Sequence, residues 1–151
     1  MESKGIRILD DINGIICVTL PKILSEIHDG NLYYWSILFM DVIGNLGEEV
    51  SVPILQKQIY DSKNGLFISW QDLSILAEKF EQVIDIIIIG SNEEKNLRRY
   101  EDDQEMYETC DFVIAMVDSG YWEVFSKEPD LIDRLATKFK EIEFLEPDFE
   151  K

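Results

Sequence analysis

Between the apolar run "CDFVIAMV" and the aromatic "YWEVF" lie Asp118, Ser119 and Gly120, a carboxylate and a hydroxyl beside a flexible glycine. A nucleophilic Ser119 needs a base to take its proton. The single histidine, His28, is distant in sequence, nothing links it to Ser119, and no Gly-x-Ser-x-Gly elbow occurs. Asp41 and Asp85 interrupt apolar strands. A strand carboxylate is either buried, with a raised pKa suited to acid–base work, or turned to solvent on the polar side of its strand; the second reading is preferred. The segment "IGSNEEK" has one glycine and puts acids where a phosphate would sit, which disfavours a phosphate-binding loop. Cys17, His28 and Cys110 lack the close paired spacing of a zinc site. The acids of residues 101–108 lack the central glycine and terminal glutamate of an EF-hand loop. The sequence therefore implies no metal and no cofactor.

The material for binding is richer. Tyr121 and Trp122 occupy successive strand positions and so point to opposite faces, which exposes one of them unless both faces are covered. Tyrosine and tryptophan anchor interfaces within a charged rim. Here the rim is negative: Asp118 sits beside the two rings, and Glu101, Asp102, Asp103 and Glu105 form the densest acid cluster of the chain. Tyr33, Tyr34 and Trp35 raise the same question in an earlier strand, where most rings are expected to be core.

These side chains need elements to hold them. "GIRIL" reads as a first strand, and Ile16, Leu20, Ile23, Leu24 and Ile27 recur at helical spacing before Gly30. Pro21 implies either a kink or a helix that starts at Thr19-Leu20-Pro21. Residues 32–44 read as a strand buried on both faces or nearly so, Pro53 as a position no central strand tolerates, and Asn64-Gly65 as a turn before strand 65–69. Ser69 with Asp72 resembles a capping box opening a helix through Phe80. "VIDIIIIGS" reads as a central strand. The polar stretch 92–109 is a loop with a helical piece near residues 102–108, or a mobile excursion. Strands 110–117 and 121–125 form a hairpin whose three-residue loop places Gly120 in the left-handed conformation. A helix from Ser126 carries Leu131, Leu135 and Phe139 on one face, and strand 142–146 and an acidic tail follow. The expectation is one α+β domain over residues 1–151: five to six strands, mostly antiparallel or mixed, with about three helices on one side.

The chain carries 31 acidic and 14 basic side chains, a net charge of −17, against a 46% hydrophobic content that is ordinary for a folded domain. The field is uneven, −5 over residues 1–75 and −12 over the rest. It repels nucleic acid and anionic membranes and draws basic proteins. Acidity of this kind also serves solubility alone. "MESKGIRILDD" has no signal-peptide pattern and no apolar run reaches membrane length, so a cytoplasmic protein with two buried thiols is expected.

The tail "CDFVIAMVDSGYWEVFSKEPDLIDRL", with the opening "GIRI" and a helix after it, resembles a family of small uncharacterised proteins from low-GC Gram-positive bacteria. That family implies no activity and no site residues. In composition and fold class the chain also resembles acidic immunity proteins of bacterial toxin systems, metal-free α+β domains that block a basic toxin with acids and aromatics. The leading expectation is a non-catalytic protein that masks a basic partner, steered by residues 101–108 and anchored by Tyr121 or Trp122. The alternatives are a small enzyme using Asp85 or Asp118 on a neutral or cationic substrate, and a homodimer built by pairing an exposed strand.

Overall fold

A computed structural model describes residues 3–146. Its frame is a seven-stranded sheet built from β1 (Lys4–Ile8), β4 (Tyr34–Gly44), β5 (Leu66–Ile68), β6 (Phe80–Ser91), β7 (Phe112–Val117), β8 (Tyr121–Ser126) and β9 (Ile142–Leu145). The strand order is β5-β4-β6-β7-β8-β1-β9, and every neighbouring pair is antiparallel. A separate hairpin, β2 (Asp11–Ile12) with β3 (Ile15–Ile16), turns at Asn13 and Gly14, both at positive φ. Five helices complete the fold: α1 (Leu20–Leu24), α2 (Val52–Asp61), α3 (Trp70–Glu78), α4 (Asp103–Thr109) and α5 (Pro129–Lys138). The α+β class and the antiparallel sheet match the sequence reading, whereas the counts of five to six strands and three helices fall short. The small hairpin, too short for an alternating pattern, and α2 account for much of the difference.

The local chemistry explains the helix starts. Thr19 precedes α1 with Pro21 in the first turn, where its missing N–H costs nothing. Ser51 caps α2, its side chain accepting from the Ile54 N–H at 3.4 Å, with Pro53 again in the first turn. Ser69 Oγ accepts from the Asp72 N–H at 3.1 Å to open α3.

One sheet face buries Ile6, Ile8, Ile37, Ile86, Ile114 and Val124 against side chains of α1, α2, α3 and α5. The other face has a smaller core, in which Met106 of α4 and Leu97 meet Ile89, Val113 and Phe125. The helices are therefore not all on one side: α4 covers part of the second face. The rest of that face is open.

Two bulges decide what the open part presents. Ile37 pairs with Ile88 but Phe39 pairs with Ile87, so Leu38 is an extra residue in β4. Such an insertion flips the alternation that follows. Met40 and Val42 thus join the core, and Phe39 and Asp41 turn away from it. Residues 32–44 are not buried on both faces, as the apolar run implied: Tyr34, Phe39 and Ile43 are exposed. A second irregularity, where Asp41 pairs with Asp85 but Val42 with Val83, leaves Ile84 as the extra residue in β6.

Candidate functional site

On the open face, the strand register lays out one row of side chains: Phe39, Ile87, Ala115, Glu123, Arg7 and Glu143. One step along the strands, Asp41 stands directly opposite Asp85. Like charges in that relation are destabilising, because their Cβ atoms lie only about 4.5–5.5 Å apart. Phe39 is 48% exposed beside them. Between this row and α4 runs a groove of about 290 Å3, floored by apolar side chains including Ile87, Val113 and Phe125, with Asp85, Asp103 and Glu123 among its lining.

The hairpin turn is fastened to the same place. Asp118 and Ser119 have φ of 48° and 58°, and the Gly120 N–H donates to Val117 O at 2.8 Å. This is a type I′ turn, with the left-handed positions at Asp118 and Ser119 rather than at Gly120. The turn holds those two residues in the left-handed conformation through two bonds to β6. The Asp118 N–H donates to Asp85 Oδ1 at 2.8 Å, and the Ser119 N–H donates to Ile84 O at 2.8 Å, the carbonyl of the bulge residue. One oxygen of Asp85 thus clamps a turn.

Glu123 is committed too. Its Oε2 receives Arg7 Nη2 at 2.7 Å and Nε at 3.0 Å, while Arg7 Nη1 reaches Glu143 Oε1 at 3.3 Å. Arg7 also lies 4.4 Å from the centre of the Tyr121 ring. The bond from Glu123 holds the guanidinium all the more firmly in its charged form. By contrast, among the described residues no lysine or arginine lies within ion-pair distance of Asp41, Asp85, Asp103 or Asp118. The Tyr107 ring stacks on Phe125, centroids 3.8 Å apart, and closes the α4 side of the groove. Burial first, then the charges of Asp103 and Glu123, push its hydroxyl far above the usual tyrosine range, so it stays neutral.

The residues expected from sequence separate sharply. Asp103 lines the groove, Asp118 meets this face through its backbone N–H, and Tyr121 points to it two residues from Glu123, half-buried under Arg7. Trp122 does not: it is 1% exposed, on the helix-covered face, and its Nε1–H donates to Val18 O at 2.8 Å. It is a core residue and no interface anchor. The acid cluster is also divided. Asp102 caps α4 through the Gln104 N–H at 3.0 Å, Glu105 pairs with Arg98 at 3.1 Å, and Glu101 is exposed beside Asp103. Phe39, Asp41, Ile87 and Tyr107 were not singled out as binding residues. Only the Asp41 interruption signalled anything, and the bulge that turns it outward leaves no mark in the sequence.

Ser119 lines a different cavity of about 290 Å3, between the β2–β3 hairpin and the start of α1, with Glu81 as its one carboxylate and no histidine. Among the described residues no cluster of histidine, cysteine or carboxylate side chains is arranged to hold a metal ion, and no helix is long and apolar enough to cross a membrane. Cys17 and Cys110 are free thiols, Cys17 partly exposed rather than buried.

Fold and site together define an acidic α+β protein with one sheet face half covered and anionic. No protein-family model matches the chain, and no curated protein or solved structure matches it either.

Proposed function

We infer that this chain is a non-catalytic protein-binding protein, whose open sheet face docks on a basic partner and masks it in the manner of an immunity protein. The observation that carries this reading is the Asp41–Asp85 opposition beside the half-exposed Phe39, with no lysine or arginine of the described residues in ion-pair distance of either carboxylate. An arrangement that costs stability in the free molecule is relieved when a partner brings lysine or arginine to it. The groove suits such side chains, since an apolar floor takes the methylene stem and a carboxylate rim takes the charge. A cytoplasmic setting agrees with two free thiols.

The test is zero-length carboxylate-to-amine cross-linking in extract of the native host, followed by measurement on the purified pair. A partner rich in lysine and arginine, joined through Asp41, Asp85 or Asp103, is expected. Its affinity should fall as salt rises and drop at least about tenfold in Phe39→Ser, as for a central apolar anchor. Cross-links that map elsewhere, or affinity indifferent to salt and to Phe39→Ser, overturn the reading. An enzymatic alternative has one observation in its favour, that Asp85 lines a groove with Asp103 and Glu123. Against it, Asp85 Oδ1 is taken by the turn and Glu123 by Arg7, and no serine, cysteine or histidine lines that groove.

A further inference from the structure

The segment that gives Arg99 to the cavity beside Phe39 gives Glu94 and Leu97 to another groove, of about 490 Å3, at the opposite end of β4. Five aromatic residues line it: Tyr33, Tyr34, Trp35, Phe67 and Trp70. Tyr34 and Phe67 are 50% and 47% exposed, an unusual outlay of ring surface at one edge of a small domain. Trp35 pairs with Ile68 and Ser36 with Phe67, so Tyr34 and Phe67 are diagonal neighbours on one face. Such neighbours stand about 7–8 Å apart, within reach of aromatic side chains. Cation–π attraction acts within about 6 Å of a ring centre, a range that two rings so placed can share.

Behind these two rings the groove has a packed floor and an anionic setting. Trp70 packs at 4.9 Å on Trp35, whose Nε1–H donates to Gly30 O at 2.8 Å. Gly30 itself lies against the Trp70 ring, with no room for a Cβ. Glu94 is the one charged side chain of the lining. Around Tyr33, burial followed by the charges of Glu128, Asp29 and Asp111 pushes the phenol up to about 12. The positive end of α3 also lies at this rim, and Asp72 in its first turn offsets it.

We propose that this groove binds a small quaternary ammonium compound, its charge over Tyr34 and Phe67 and opposed by Glu94. Apolar area alone would favour a neutral ligand of the same shape equally well. The cation is favoured because the lining combines exposed aromatic rings with a carboxylate and, among the described residues, contains no lysine or arginine.

Choline and its neutral isostere 3,3-dimethyl-1-butanol are the probes, titrated against the protein by amide-resolved NMR. Choline should shift the amides of Tyr34, Phe67 and Glu94 saturably in the millimolar range, and the isostere should bind several-fold more weakly. Phe67→Leu keeps apolar bulk but removes the π face, and should weaken choline about threefold or more. Phe39→Ser, on the partner-docking face, should leave choline binding unchanged, so the two sites fail or stand separately. Equal binding of the isostere, an unaltered Phe67→Leu titration, shifts confined to other residues, or no saturable shift at all would each overturn the proposal.

Discussion

Asp41 and Asp85 are the most informative pair in the molecule: their carboxylates stand directly opposite each other, and Asp41 holds a strand position that an apolar or cationic residue would fill at less cost. Replacing Asp41 by asparagine removes the repulsion while keeping the shape. The expected result is a free protein more stable by about 0.2–1 kcal/mol in urea unfolding, and a weaker complex with the basic partner. Asp41 is the better choice of the two, because Asp85 also clamps the Asp118 turn. A destabilised Asp41→Asn would mean that the carboxylate serves the fold. At this scale the sequence was only half legible. An acid within an apolar run announced itself, but its direction was set by Leu38, an extra residue in β4 that looks like any other leucine of the run. Trp122 shows the opposite failure. Its neighbour Tyr121 marks an alternation, and alternation alone does not say which face carries the helices.

At the level of elements, α4 is the wall that makes a groove out of a sheet face. Seven residues give it little helical stability of its own, and Met106 and the Tyr107–Phe125 stack hold it down. Tyr107→Ala should therefore cost about 1–3 kcal/mol and, in hydrogen exchange, free the amides of α4 before those of β7. Equal protection of both elements would refute a separately opening wall. Several elements could be read directly: Ser69 with Asp72 for α3, the β-branched run for β6, the Leu131–Leu135 spacing for α5. Ser51-Val52-Pro53 carries the same cap-and-proline signal as Thr19-Leu20-Pro21, yet Pro53 reads in the sequence only as a position that no central strand tolerates. The hairpin itself was legible, and only the residues bearing positive φ were misplaced. Turn type follows from docking to Ile84, a long-range contact.

For the whole molecule, a charge of −17 means self-repulsion that acid and salt should both relieve. Glu128 gives one local measure. Burial, then Asp29, raises its pKa above an ordinary glutamate's 4.5. The folded protein therefore binds this proton more readily than the unfolded chain does. That contribution is complete below 4.5 and is lost as pH rises through the raised value. Glu128→Gln should be more stable than the parent at pH 7, by an amount of the order of a few tenths of a kcal/mol for so solvated a group, and the difference should vanish near pH 4. Paired unfolding curves at the two pH values decide it.

β1 lies between β8 and β9, so the strand nearest the start of the chain has both its neighbours near the end. Arg7 and Glu123, which meet across that seam, are 116 positions apart. During synthesis β1 must remain single until β8 has emerged, and its isoleucines have no strand partner meanwhile. Ribosome-bound fragments lacking β8 should accordingly stay protease-sensitive, and assembly of the finished sheet should be slow and late, governed by closure of one long loop.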